Sequence, residues 1–268
     1  MTGSLLADGS TGILGFAPQL LDNGVPTTLG MFASEFIGTL LLVLLGCGVV
    51  AGQVLSRTKN NAGGWLMVAF GWGLGVYAGA YAAYATGGHL NPVVTLSFWA
   101  AHKDLSDGIP ATFGNVVIYI VAQMIGAIVG AILVYLTHKK HFDLEAPAAD
   151  KLGVFSTGPE IRAYGWNFLT EVVATFVLIA FILFSDKTPS EIGPLPVALV
   201  VVAIGISLGG PTGYAINPAR DLGPRIAHAI LPIRGKGSSD WSYSWIPVLG
   251  PIAGGLLAAL AVPLMVAL

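Results

Sequence analysis

The sequence predicts an all-α membrane protein: six transmembrane helices, with two half-helices folded into the bundle as part of an inverted repeat. Three observations carry that expectation. The 268 residues are 54% hydrophobic and 10% charged, with a mean hydropathy of +0.77. Soluble domains carry about a quarter charged residues, so this chain cannot cover a soluble surface with ionised side chains. Asp, Glu, Lys and Arg are absent altogether from residues 64–102, 110–137 and 192–219. Finally, Asn-Pro occurs at 91–92 and again at 217–218, each time downstream of a Gly-Gly pair.

The same figures exclude other classes. Disorder needs low hydrophobicity and high net charge, whereas the net charge here is −2. That charge leaves no electrostatic footprint for nucleic acid, so no nucleic-acid partner is expected. The single cysteine, Cys47, excludes a disulfide framework and a Cys-rich metal site. It reads as a small apolar residue inside a helix. Neither a cofactor nor a metal centre is expected.

Residues 1–29 form a tail bearing Gly, Ser, Asp and Pro, without the basic start and single apolar block of a signal peptide. A spanning helix needs about 20 apolar residues. Six stretches qualify: 30–55, 64–86, 112–137, 164–185, 192–210 and 244–267, with Glu35 and Glu171 the two charges inside them. The apolar runs are continuous rather than alternating, which disfavours a β-barrel. The connections read as solvated, among them 57–61, 103–108, the long 138–162, 186–190 and 234–238.

Two apolar pieces, 89–99 and 215–224, are too short to span. Each should begin a short helix at its Asn-Pro, because Asn is a favoured N-cap and Pro suits the first helical turn. The residues before each Asn are expected to be extended. The two halves also match elsewhere. Glu35 and Thr39 pair with Glu171 and Thr175, and Gln123 with Gly126-Ala127 corresponds to Pro251 with Gly254-Gly255. The repeats cover about 30–137 and 164–268. Three spans per repeat reverse the second against the first, and matched broken segments in such a repeat point to a site near the midplane.

Two half-helices meeting there would bring the positive ends of two dipoles together. Asn91 and Asn217 would offer amide donors to the lumen. Gly87, Gly88 and His89, and likewise Gly213, Tyr214 and Ala215, would expose carbonyl oxygens, since irregular backbone at this depth lines a wet cavity or is buried in protein. That path suits a small neutral hydroxylated molecule, and the dipole ends with Arg220 oppose cations and protons.

Asn91-Pro92 and Asn217-Pro218-Ala219-Arg220, in matched broken helices of a six-span inverted repeat, resemble the signature of the aquaporin family. Asp221 after Arg220, with Gly223-Pro224-Arg225, resembles its aquaglyceroporin branch and in particular bacterial glycerol facilitators. The resemblance covers about residues 30–268, making that region a channel domain. It implies an aquaporin-like fold, a homotetramer with one pore per subunit, and passive conduction of glycerol, other small uncharged polyols and water, with exclusion of protons and ions. It places the selectivity filter on Trp72, Gly205, Tyr214 and Arg220. There Arg220 donates to hydroxyls, Trp72 and Tyr214 wall a carbon backbone, and Gly205 leaves room. Two residues depart from the family pattern. Val93 stands where Ala is usual and calls for a local packing adjustment; Tyr214 stands where facilitators commonly carry Phe.

Ionisable residues inside a membrane are expensive and usually functional. Glu35 and Glu171 fit a proton relay, or a pair of acceptors that hold the half-helices in place; their matched positions favour the supporting role. His89 fits either a pH gate or a packed ring at the vestibule. Asp221 and Arg225 stand at i,i+4, a helix-surface pairing of about 0.3–0.5 kcal/mol. No catalytic set converges, so an enzyme is not expected. The competing classes are a water-selective channel, against which Gly205 and Asp221 argue, and a secondary transporter, which also uses inverted repeats. The expected location is the plasma membrane. The resemblance implies cytoplasmic termini; the Lys/Arg distribution points the other way, because only Lys103 and Lys187 of twelve would then lie inside.

Overall fold

A computed structural model describes residues 20–185 and 192–266. The first 19 residues and the connection expected at 186–190 lie outside the described residues. A two-strand hairpin, β1 (Leu21–Asp22) and β2 (Val25–Pro26), leads into α1 (Thr28–Val54), whose N-cap Thr27 accepts from the Gly30 N–H at 3.1 Å. The last part of the expected tail is therefore ordered. Then come α2 (Trp65–Ala82), a 3-10 turn (Tyr84–Thr86), the half-helix α3 (Pro92–Ala100) and α4 (Phe113–Thr137). The second half follows with α5 (Lys139–Phe142), α6 (Ala148–Gly153), α7 (Tyr164–Ser185), α8 (Leu195–Ser207), the half-helix α9 (Pro218–Ile230) and α10 (Ile246–Val266).

Among the described residues, five helices are long and apolar enough to cross a membrane: α1, α2, α4, α7 and α10. The fifth expected span is shorter than its apolar stretch. Helix α8 has 13 residues, with Pro194 at its N-cap and a Pro in its first turn, so it rises only about 20 Å. Gly193, at a φ of 61°, marks where the chain turns into it.

Helix pairs approach closely where glycine removes a side chain, as is usual in membranes. A Cβ on Gly126 of α4 would stand 2.4 Å from the Phe36 carbonyl oxygen of α1, and one on Gly254 of α10 would stand 2.2 Å from that of Val172 in α7. Phe36 and Val172 directly follow Glu35 and Glu171, so residues matched in sequence make matched contacts in space.

The long connection is not simply solvated. Phe142 and Phe155 are fully buried, with ring centroids 5.6 Å apart, and Phe155 packs on His228 of α9 at 5.5 Å. Lys151 is buried as well, donating to the Arg234 carbonyl oxygen at 2.5 Å. Lys236 in turn donates to the carbonyls of His228, Ala229 and Leu231, each at 2.7 Å, closing the C-terminal end of α9. Two aromatic anchors and the Lys236 cap thus hold the connections on the bundle, and Lys151 ties one connection to the other.

The extra bulk of Val93 has a counterpart. A Cβ on Gly255 of α10 would lie 2.2 Å from Val93 Cγ1 and 2.7 Å from Ser97 Oγ. In the other half the sizes are exchanged: α9 presents Gly223, where a Cβ would meet the methyl of Ala127 in α4 at 2.6 Å. Overfilling a packed core costs about 1–3 kcal/mol. Gly255→Ala is therefore expected to lower the thermal midpoint of the detergent-solubilised protein, and adding Val93→Ala should restore most of it. An unchanged midpoint in the single variant, or no recovery in the double, would show that the two positions are not paired.

Candidate functional site

Each half-helix is capped by the Asn that precedes it. Asn91 Oδ1 accepts from the Val93 N–H at 2.9 Å; Asn217 Oδ1 accepts from those of Ala219 at 2.9 Å and Arg220 at 3.2 Å. The amide nitrogens cross over. Asn91 Nδ2 donates to the Ile216 carbonyl oxygen at 2.9 Å, and Asn217 Nδ2 to that of Leu90 at 2.8 Å. Two short helices from the two halves of the sequence thus meet at their N-termini, joined by two reciprocal buried bonds. Pro92 and Pro218 give up no hydrogen bond, because first-turn N–H groups have no intrahelical partner.

The residues before each Asn are not simply extended. Gly87, Gly88 and Leu90 have φ values of 74°, 60° and 55°; Gly213, Tyr214 and Ile216 have 81°, 39° and 46°. Such conformations cost about 1–3 kcal/mol each for non-glycine residues, and the buried carboxyl groups hold them. Glu35 accepts from the consecutive N–H groups of His89 at 3.0 Å and Leu90 at 2.8 Å, from Thr86 Oγ1 at 2.8 Å and from Gln123 Nε2 at 2.8 Å. Glu171 accepts from the N–H groups of Ala215 and Ile216, both at 3.0 Å, and from Thr212 Oγ1 at 2.7 Å. Thr86 and Thr212 occupy matched places, each five residues before its Asn, a repeat signal that is present in the sequence.

A cavity of about 820 Å3 runs along this junction. Its wall takes in Tyr84 of the 3-10 turn, the loop residues Ser106 and Asp107, the junction residues His89, Leu90, Asn91, Ala215, Ile216 and Asn217, and Trp72, Tyr214 and Arg220. Gly87 and Gly88 also line it; Gly213 does not, lying instead against Thr157. Aliphatic side chains line it as well, among them Leu42, Val76, Leu178, Val197 and Val201. The lining therefore combines aliphatic side chains with the polar residues of the half-helix junction.

At the Trp72 end, the Arg220 guanidinium lies 3.6 Å from the centre of the Trp72 ring. The indole itself sits in a notch on α1, where a Cβ on Gly46 would overlap it at 2.1 Å. Trp72 Nε1 and Tyr214 Oη are buried without a hydrogen-bond partner. Gly205 does not line the cavity: the place of its missing side chain is taken by Tyr214, whose Cζ would be 2.8 Å from an added Cβ. Tyr214 thus stands between Gly205 and the lumen. The signal for Gly46 and for this arrangement is absent from local sequence, since both depend on helices brought together by the fold.

His89 packs between Phe98 and Tyr119, with Nδ1 3.0 Å from Thr95 Oγ1. Asp221 and Arg225 depart from the helix-surface pair expected. Both side chains are fully buried, and all five guanidinium N–H groups are used: on Asp221, on the carbonyls of Ser239 and Asp240, and on that of Thr157. Asp221 Oδ2 also accepts from Thr157 N and Oγ1, each at 2.7 Å. Losing one partner of such a buried pair costs about 3–5 kcal/mol, ten times the surface figure. The network fixes α9, and Arg220 with it, to both long connections. Outside it, the Arg162 guanidinium pairs with Asp240 and holds that carboxyl below the usual carboxylate range.

Residues 25–262 match the family described as Major intrinsic protein. The chain is 48% identical over 234 residues to the probable glycerol uptake facilitator protein of Thermotoga maritima, covering 86% of this chain and 97% of that one. It is 53% identical over 230 residues to the glycerol uptake facilitator protein of Bacillus subtilis, covering 84% and 80% respectively. The structure is similar to that of the aquaglyceroporin from Plasmodium falciparum, with a TM-score of 0.74 and 28% identity over 87% of this chain and 95% of that chain.

The donors around Glu171 predict its behaviour on substitution. In Glu171→Gln, an amide NH2 must face either the N–H of Ile216 or the hydroxyl of Thr212 and the N–H of Ala215, at about 1–3 kcal/mol per unmet buried group. The variant is expected to lose folded yield and thermal stability while the protein that folds keeps its solute selectivity. A stable variant lacking only a proton-coupled flux would instead make Glu171 a relay.

Proposed function

Because the chain belongs to the major intrinsic protein family, we propose that it is a passive plasma-membrane channel for glycerol and other small uncharged polyols, with water also passing and protons and ions excluded. The observation that carries this reading is the pair of half-helices joined head to head beside a lumen lined by both aliphatic and hydrogen-bonding residues. A polyol combines the same two kinds of surface. Its carbon backbone can lie against Leu42, Val76 and Val201 while its hydroxyls meet Asn91, Asn217 and the carbonyls beside them. A cation finds two positive helix ends and Arg220.

In this reading Trp72, Tyr214 and Arg220 form the selectivity filter, with Gly205 providing the seat of Tyr214. Arg220 supplies donors beyond its stacking on Trp72, since guanidinium carries five N–H groups in a fixed fork. The protein works as a homotetramer with cytoplasmic termini and no enzymatic step. The aliphatic faces turned outward, such as Leu66 on α2 and Leu260 on α10, meet lipid or neighbouring subunits.

Purified protein in liposomes, followed by light scattering after a glycerol challenge, tests the proposal. Fast recovery that stays linear with glycerol concentration and ignores ion gradients is expected. Saturation at low glycerol with dependence on a proton or sodium gradient would make it a coupled transporter. Arg220→Val should raise proton leak several-fold in the same vesicles; an unchanged leak in folded protein would remove Arg220 from the filter.

A further inference from the structure

We infer that Trp65 is a positioning residue for the narrow end of the pore: it seats the Tyr214 ring in a slot on α8 and so sets which solutes pass. This rests on the channel reading above. Trp65 opens α2, and its Nε1 donates at 2.8 Å to the carbonyl oxygen of Gly205. That carbonyl belongs to the last turn of α8, where backbone acceptors lack helical partners. The indole meets Tyr214 edge-on, with ring centroids 5.9 Å apart at 78°.

Two glycines complete the slot. Added Cβ atoms would stand 2.8 Å from Tyr214 Cζ at Gly205 and 2.5 Å from Tyr214 Cδ1 at Gly209; the latter would also lie 3.0 Å from Trp65 Cζ2. The ring is therefore held between bare backbone on one side and the indole edge on another. Its hydroxyl makes no hydrogen bond, although it is buried. No polar contact fixes the ring, so its position follows from packing alone. Tyr214 lines the cavity and neither glycine does, so a shift of the ring changes the lumen directly. Trp65 itself is 44% exposed, which leaves space for the ring to retreat if the indole is removed.

The inference makes opposite predictions for the two sides of the slot. Trp65→Ala lets the ring withdraw, and Gly205→Ala drives it into the lumen. Permeabilities for water, glycerol and the four-carbon polyol erythritol would be measured in liposomes, normalised to folded protein. Trp65→Ala is expected to raise the erythritol-to-glycerol ratio by roughly tenfold, the scale of one methylene in an apolar pocket. Trp65→Phe, which keeps an aromatic edge on Tyr214, should stay close to the parent. Gly205→Ala should lower glycerol flux far more than water flux.

A parental ratio in folded Trp65→Ala overturns the inference. Should that variant fail to fold, Gly205→Ala decides: a selective loss of glycerol upholds the slot, and a parallel loss or no change overturns it. Trp72→Ala separates this failure from that of the channel reading. If Trp72→Ala alters selectivity and Trp65→Ala does not, only the role of Trp65 falls. If neither does, the filter itself is misplaced.

Discussion

Asn91 and Asn217 each divide one amide between two helices, and the architecture depends on that division. The oxygen of each terminates its own half-helix, and the nitrogen holds the carbonyl before the other. An N-cap contributes about 1 kcal/mol and a buried neutral bond about as much again. Those sums are modest, but their geometry is not replaceable. Only a side chain carrying both an acceptor and a donor can cap one helix and bind the partner. The result is a meeting of two positive helix ends at one place, with no charged side chain required to create it.

Such a junction needs backing, because the residues leading into it have left-handed backbone. Glu35 and Glu171 supply it by gathering two consecutive N–H groups each. The two halves differ in one respect. Gln123 adds a donor to Glu35, while its counterpart Pro251 has none to give, and Gly250 instead lets α10 approach the Glu171 side chain closely. Behind α9, the buried Asp221–Arg225 pair ties the same junction to the connection that follows α9 and to Thr157, 68 residues away in sequence. Support therefore comes from single buried polar groups with every donor matched, the form in which such groups stabilise rather than strain a fold.

How much of this was legible depended on whether the signal was local. The paired Asn-Pro, the caps they imply and the matched Glu residues are local or repeat-related, and they read directly from the sequence. The apolar length at 192–210 overstated α8, because Gly and Pro at one end and Gly-Gly at the other stop the helix inside an apolar run. Asp221 and Arg225 looked like a surface pair because their i,i+4 spacing says nothing about the connections folded over them. The connection at 138–162 looked solvated, since its charges outnumber the two phenylalanines that anchor it. Gly205 was legible as a position without a side chain; that the space belongs to Tyr214, and that Trp65 holds it there, depends on three elements meeting.

The most direct measurement replaces each central Asn by Asp, keeping the capping oxygen while removing the nitrogen that binds the opposite half. Glycerol and sodium fluxes would be compared in liposomes for Asn91→Asp, Asn217→Asp and the parent protein. If the crossed amides organise the pore, both variants lose most glycerol flux to a similar degree, and the new carboxylates weaken the barrier to sodium. Parental glycerol flux with an intact sodium barrier in either variant would contradict the account.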